Sequence, residues 1–250
     1  MIGAGWLKNC SYRFRKIKHT EDGRLFIFMK ISKTIFLILT PVLLAAQDSG
    51  HMHTGEGIPA MQPDSKAYIE MLESPQRDME QKPDEVVAAM DIKEGETIAD
   101  IGAGSGYFSF RFAPRVGSTG RIYAVDINSD MILYMNRQIR DKKIGNVVTV
   151  LSDPEDPLLA DNTIDRFFIC NTWHHIPNRS HYIGLMKKML SPEGQIIIVD
   201  YFKKQLPVGP PPEMKMARSE VVKQMEDNGL ELKEEHNFLP YQYFLVFTVK

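Results

Sequence analysis

The chain has 250 residues, a formal net charge of −2 and an apolar fraction of 43%. This length allows one well-buried core and a tail, and the composition is that of a globular protein. A nearly neutral charge gives no general attraction to nucleic acid or to an anionic membrane, so we expect no nucleic-acid partner. The two cysteines, Cys10 and Cys170, are too few for a disulfide framework or a thiolate metal site.

The N-terminal region contains the pattern of an export signal. After Met29, two lysines precede a twelve-residue apolar run over 35–46 that ends in small residues. The run is short for a membrane span, and Pro41 weakens it as a helix. The sequence therefore predicts a secretory signal within 1–47, with Met29 as an alternative start, and a domain exported to the periplasm or anchored facing outward.

Two alternatives to a cleaved signal stay open. An uncleaved segment would be the only part of the chain in contact with a membrane, and a cytoplasmic protein would bury the same run as a helix. Residues 48–63 are rich in glycine and polar residues and are predicted to be a flexible linker. The linker contains His51 and His53, but no third metal ligand is near them in the sequence, so we expect no metal site.

The predicted domain occupies 64–250 and starts with a helical cap over 64–96. Helices are predicted over 65–73 and 83–90, joined by the segment 74–78.

Residues 98–108 combine a short apolar strand, three alternate glycines and the beginning of a helix. Glycines allow a sharp turn and a close ligand approach, and a helix N-terminus offers free N–H groups. The segment therefore indicates a nucleotide-like ligand. In the dinucleotide fingerprint G-x-G-x-x-G the third glycine would stand at Tyr107 instead of Gly106, so NAD and FAD fit poorly.

Asp126 strengthens this interpretation. It lies twenty residues after Gly106, at the end of the next predicted strand, 121–126. A carboxylate at this place can accept hydrogen bonds from both hydroxyls of a ribose.

The rest of the chain continues the alternation of strands and helices. Together with the two strands above, five more strands are predicted: 147–151, 164–170, 195–201, 230–234 and 243–249. The last two are too close in sequence for a crossover helix, so they should pair antiparallel. The predicted fold is α/β: a three-layer, Rossmann-like arrangement with a seven-stranded, mostly parallel sheet and helices on both faces.

The predicted strand 164–170 leads directly into Asn171, Thr172, Trp173, His174 and His175. In an open α/β sheet, ligands bind beyond the carboxyl ends of the strands. Adjacent histidines at such a junction point in different directions. One can face a substrate while the other holds the loop, and an unperturbed imidazole has a suitable pKa for a general base.

The pattern acid-x-Gly-x-Gly-x-Gly, with Asp100 two residues before Gly102, resembles motif I of class I S-adenosylmethionine (SAM) dependent methyltransferases. The strand pattern extends the resemblance over roughly 61–250. A finer resemblance, to predicted bacterial methyltransferases with export signals and no established substrate, rests on 81–86, 207–213 and 238–247.

The resemblance implies SAM as the cofactor and a small molecule as the methyl acceptor. It implies that Asp100 positions the methionine moiety, that Asp126 binds the ribose and that Asp153 meets the adenine. The remaining implied cofactor contacts are Gly102, Ala103, Gly104, Gly106, Tyr107, Ile127 and Asn171. Asp153 precedes a proline, so it is also a typical turn residue.

The implied catalytic candidates are His174 and His175, and the implied substrate contacts are Tyr68, Arg77 and Trp173. Segments before the first strand often cover the cleft in this family, although Arg77 is equally consistent with a solvated surface residue. Two other functions remain open, a non-catalytic SAM or nucleoside binder and a nicotinamide-dependent oxidoreductase. Nothing in the sequence specifies an oligomeric state.

Overall fold

The computed structural model describes residues 65–250. The predicted signal (1–47) and linker (48–63) lie outside the described residues. None of the helices within 65–250 combines the length and apolar character that crossing a bilayer requires. The predicted export therefore stays a prediction, as do the domain boundaries.

The described chain begins with three helices and then alternates strands and helices. The helices are α1 (Ser65–Leu72), α2 (Pro75–Gln81), α3 (Pro83–Ala89), α4 (Ser109–Val116), α5 (Ser129–Lys142), α6 (Arg179–Met189) and α7 (Arg218–Asp227). The strands are β1 (Thr97–Ile101), β2 (Arg121–Asp126), β3 (Val147–Leu151), β4 (Ile164–Cys170), β5 (Leu190–Tyr201), β6 (Leu230–His236) and β7 (Gln242–Val249). Short 3₁₀ helices cover Trp173–His175 and Pro212–Met214.

The seven strands form one sheet in the order β3-β2-β1-β4-β5-β7-β6. Strands β1 to β5 pair in parallel, whereas β7 is antiparallel to both β5 and β6. The reason for the antiparallel end is the short connection between β6 and β7, which leaves no room for a crossover. The predicted fold class is confirmed.

Helices cover both faces of the sheet, and each face has its own apolar core. On one face, Phe112 of α4 packs with Ile98, Phe168 and Phe244 of the strands. On the other, Met186 of α6 packs with strand residues such as Ile198. Side chains that alternate along each buried strand supply both cores, which explains the nearly continuous apolar runs.

The position of the site follows from the strand order. From β1 the chain proceeds through β2 and β3 in one direction across the sheet, and then through β4 and β5 in the other. The carboxyl ends of β1 and β4 therefore border a crevice at the point where the order reverses. Such a crevice is where open α/β sheets bind their ligands.

The cap contains one more helix than the sequence predicted. The segment after Ser74, predicted to be a connection, is α2. It begins at Pro75, and the Ser74 side chain accepts the N–H of Gln76 at 3.2 Å. A proline at the first helical position and a serine cap are both helix-start signals.

Candidate active site

The turn after β1 requires glycine at three alternate positions. Gly102, Gly104 and Gly106 have φ values of +72°, +57° and +82°, in the left-handed region that other residues rarely adopt. A Cβ at Gly102 would also lie 2.3 Å from Oγ1 of Thr172. The loop after β4 therefore packs directly on the glycine turn.

Asp126, at the end of β2, holds this turn. Its Oδ2 accepts the N–H of Gly104 at 2.7 Å, and its Oδ1 accepts the N–H of Asn128 at 2.9 Å. Burial raises the pKa of Asp126, while these hydrogen bonds oppose the shift. The backbone N–H of Ile127 is a third donor to this carboxylate, which leaves about one of its four acceptor sites for a further donor. The exposed side chains of Ile127 and Leu151 offer apolar surface beside the carboxylate.

Asp100 is a buried carboxyl close to the turn. It accepts the hydroxyl of Ser109, the first residue of α4, at 2.6 Å. Burial raises the pKa of Asp100 to about 6. In the turn itself, the buried hydroxyl of Ser105 has no hydrogen-bond partner. Glycines with positive φ, two acids and an unpaired hydroxyl suit a polar ligand such as SAM.

Tyr107 attaches the cap to the turn. Its ring lies between the guanidinium groups of Arg77, 3.8 Å from the ring centroid, and Arg111, 3.9 Å away. Its hydroxyl donates to Asp78, which also pairs with Arg111. Burial and the neighbouring Asp78 raise the pKa of Tyr107. The structure therefore places Tyr107 between the cap and the glycine turn.

Arg77 is close enough to Asp100, and Tyr68 to Asp126, for their charges to interact. Besides stacking on Tyr107, Arg77 donates to the carbonyl of Leu72 at 2.9 Å and to Oε1 of Gln81 at 2.8 Å. Burial raises the pKa of Tyr68; the negative charge of Asp126 adds to the shift and Arg77 opposes it. The partly buried guanidinium of Arg77 is therefore held by the cap and by Tyr107, and its contact with a substrate stays a prediction.

Asn171 and Trp173 follow β4 but differ in location. Asn171 has a φ of +55°, and its Oδ1 accepts the amide of Gln242 at 2.8 Å. Trp173, predicted to contact substrate, is fully buried in the core beneath α6 and α7, and its indole donates to Oε1 of Gln224 at 3.2 Å. The 3₁₀ turn directs the indole into the core, so the substrate-contact prediction for Trp173 is corrected.

The two histidines are distinguished by their partners. Nδ1 of His174 lies 2.8 Å from Oδ2 of Asp200, at the carboxyl end of β5. The ring of His175 is more exposed and lies 4.1 Å, centroid to centroid, from that of His174. Burial, and then the neighbouring His174, lower the pKa of His175. Sequence reasoning missed Asp200, although an acid ending the apolar run 196–199 is a detectable signal.

Asp153 forms a turn at the edge of the site. Its Oδ1 accepts the N–H of Glu155 at 2.9 Å, and its side chain is exposed. The preceding Ser152 donates its N–H to the carbonyl of Asp126 at 3.0 Å. The predicted turn is therefore present next to Asp126, and the adenine contact of Asp153 stays a prediction.

A separate groove of about 540 Å³ lies at the opposite edge of the sheet. It is formed by the connections into β2 and β3, with Phe110, Pro114 and Ile144 in its wall, and none of its lining residues is titratable. The acids and histidines gather instead at the carboxyl edge, where we place the active site. Within 65–250 no cluster of three or more metal-ligating side chains occurs.

The fold and the site together define a methyltransferase. The family model described as "Methyltransferase domain" matches residues 92–241, and the chain belongs to this family. A solved SAM-dependent methyltransferase from Aquifex aeolicus matches with a TM-score of 0.71 and 26% identity over 76% of this chain and all of that one. The predicted SAM cofactor is thereby confirmed for the family.

Other relatives extend the comparison. A putative type 11 methyltransferase from Sulfolobus solfataricus matches with a TM-score of 0.52 and 25% identity, over 62% of this chain and 85% of that one. The ubiquinone/menaquinone biosynthesis C-methyltransferase UbiE of Klebsiella pneumoniae is 29% identical over 113 residues, 45% of each chain. UbiE of Hydrogenovibrio crunogenus is 30% identical over 118 residues, 47% of this chain and 46% of that one. The chain thus spans under half the length of these curated relatives. The finer resemblance to exported bacterial methyltransferases stays a prediction.

Proposed function

We propose that this protein transfers a methyl group from SAM to a small-molecule acceptor bound beneath the cap. The observation that carries the proposal is the pairing of Asp126 with the N–H of Gly104 at 2.7 Å. It places a carboxylate that can accept ribose hydroxyls against a turn that only glycine can form. Asp100, on the neighbouring strand, then faces the ammonium group of the methionine moiety.

The chain's own residues perform three tasks in this proposal. SAM, when bound, supplies a methyl carbon already activated by a positively charged sulfur. Asp126 and the glycine turn orient the ribose, while Ile127 and Leu151 pack against the adenine beside Asp153. The cap residues Tyr68 and Arg77 exclude water from the crevice. Holding two reactants in line can contribute about 7–11 kcal/mol in the best intramolecular reactions.

As the acceptor class we propose a small ring compound that bears a hydroxyl group. UbiE is described as a C-methyltransferase of quinone biosynthesis, and its match covers under half of its length. We extend to this chain only the ring of a quinone-type compound, and the hydroxyl group is part of our own proposal. Such a ring becomes a good nucleophile when its hydroxyl is deprotonated, whether the methyl group goes to oxygen or to carbon.

Calorimetric titration tests the cofactor part of the proposal. SAM and S-adenosylhomocysteine are titrated into the full chain, into Asp126→Ala and into the control Asp141→Ala, which removes an exposed carboxylate on α5. We expect micromolar binding to the wild type and the control. Asp126→Ala should bind at least about tenfold more weakly, because the ribose hydroxyls lose a charged acceptor. A folded wild-type chain that binds neither compound would contradict the proposal.

A further inference from the structure

The pair formed by His174 and Asp200 has the geometry of an oriented base. The Nδ1–Oδ2 distance is 2.8 Å, and the side chains are only 6% and 0% exposed. The other oxygen of Asp200 accepts the N–H of Tyr201 at 2.8 Å. A carboxylate oxygen that faces Nδ1 accepts a hydrogen bond from it, so Nδ1 is the nitrogen that carries a proton, and in a neutral imidazole Nε2 is then the nitrogen with the lone pair.

The second nitrogen of His174 is open. Among the described residues, Nε2 of His174 has no hydrogen-bond partner. It is not one of the fully buried polar atoms, so the small exposed part of the ring includes this nitrogen. Two residues earlier, Thr172 packs against the Gly102 backbone. The loop that carries His174 therefore adjoins the turn assigned to the cofactor.

Several titratable groups surround the pair. His175 lies against the His174 ring, and Lys215, from the segment after the second 3₁₀ helix, is close enough to Asp200 for the two charges to interact. Tyr243 of β7 and Cys170 of β4 also sense the charge of Asp200. Burial raises the pKa of both groups, Cys170 to about 12, so both stay neutral near pH 7. The local charge is therefore set by Asp200, Lys215 and the two imidazoles.

We propose that His174 is the general base that removes the hydroxyl proton of a phenol-type acceptor, and that Asp200 is the positioning residue that fixes its tautomer. This inference rests on the proposed function. The proton moves to Nε2, and the electron pair left on the acceptor oxygen forms the bond to the methyl carbon. The carbon–sulfur bond breaks, its electrons remain on sulfur, and a neutral thioether leaves. Asp200 stabilises the imidazolium of His174 until the imidazolium releases its proton to solvent.

The acceptor class follows from the strength of the base. A neutral hydroxyl is a poor nucleophile, so it gains most from losing its proton as the new bond forms. A positioned histidine is the side chain that most often serves as a general base. Aliphatic alcohols are far weaker acids than phenols. A phenolic hydroxyl is therefore the best match.

The first test reads the tautomer directly and needs no acceptor. Imidazole nitrogen resonances of the ¹⁵N-labelled full chain are assigned with His174→Gln and His175→Gln, since the chain has seven histidines. We expect the Nδ1–H form of His174 in the wild type and in the control His181→Gln, an exposed histidine of α6. Asp200→Asn can donate an amide hydrogen to Nδ1, so it should shift His174 to the Nε2–H form. An unchanged tautomer in Asp200→Asn would overturn the positioning role.

The second test compares an acceptor that must lose a proton with one that is already ionised and needs no base. Methyl transfer from isotopically labelled SAM is measured with phenol and with a nitrophenol that is already ionised at the assay pH, alongside a simple thiol and a secondary amine. We expect His174→Gln and Asp200→Asn to lower kcat for phenol by about 10²–10⁴-fold and kcat for the nitrophenolate by no more than about threefold. The residual rate with phenol should rise with pH as phenol ionises in solution.

The outcomes separate this inference from the proposed function. Equal losses with both phenols, or a wild-type chain that binds SAM and methylates only the thiol, only the amine or none of the four acceptors, would overturn the base assignment. Failure of the titration with SAM would instead overturn the proposed function, while the tautomer measurement still reports on the pair itself.

Discussion

The hydroxyl of Tyr107 donates a hydrogen bond to Asp78, so a residue of the glycine turn is joined to helix α2 of the cap. The ring of the same tyrosine lies between Arg77 and Arg111. The first of these arginines belongs to the cap and the second to α4. Tyr107 therefore joins the glycine turn to both the cap and α4.

Tyr107→Ala should loosen the cap. It removes two cation–π contacts, each about 0.5–1 kcal/mol at partly exposed sites, and one hydrogen bond. We expect faster hydrogen exchange of the amides in α1 and α2 and weaker SAM binding, by about tenfold. Tyr107→Phe is the matched control, because it keeps the ring and loses only the hydroxyl. Unchanged exchange in Tyr107→Ala would show that the cap is held by other contacts.

Asp100 should make the folded protein less stable as pH rises. Its pKa in the folded state is about 6, above the ordinary carboxyl value, so between about pH 4 and 6 the native state binds more protons than the unfolded state. The free energy of unfolding should therefore fall across this range, by about 2–3 kcal/mol for this one group. Denaturant titrations at successive pH values measure the change.

Asp100→Asn is the control for that experiment, since it keeps the shape and cannot ionise. The slope between pH 4 and 6 should become shallower in this variant. A residual slope of the same sign is expected, because burial also raises the pKa of Asp126. If the wild type and Asp100→Asn show the same slope, folding does not raise the pKa of Asp100.

Trp173 should prove to be a stabilising residue. Trp173→Ala removes a fully buried indole and should lower the free energy of unfolding by about 3–5 kcal/mol. Trp173→Phe should cost less because it keeps most of the volume. Thermal or denaturant unfolding measures stability, and titration of the folded variants measures SAM affinity, which we expect to stay within about twofold. A tenfold loss of SAM affinity in a stable Trp173→Phe variant would instead indicate that the indole of Trp173 contacts the ligand.

The sequence was informative where the physical signal is local. Alternate glycines after a buried acid predicted the turn, because only glycine adopts positive φ there without strain. Asp126 was found by its distance along the chain and its place at a strand end. The helix α2 was missed because its signals, a serine followed by a proline, also occur in turns.

For the residues that follow β4, local sequence signals were not sufficient to assign roles. The sequence singled out His174 and His175 as a pair but contained nothing to rank them, since both follow the same strand. Asp200 lies 26 residues after His174 and meets it only because β5 pairs with β4. The sequence predicted Trp173 to be a cleft residue because its neighbours in sequence lie at the cleft. Its own side chain points into the core.

The sequence by itself determined the class of fold, the glycine turn and the acids that serve it, because these depend on strand periodicity and on backbone conformations encoded within a few residues. Only the tertiary structure decided which side chains meet across strands: Asp200 with His174, Tyr107 with Asp78, and Trp173 with the core instead of the crevice. Such contacts join residues far apart in the chain, and the packing of the whole sheet and its helices sets them.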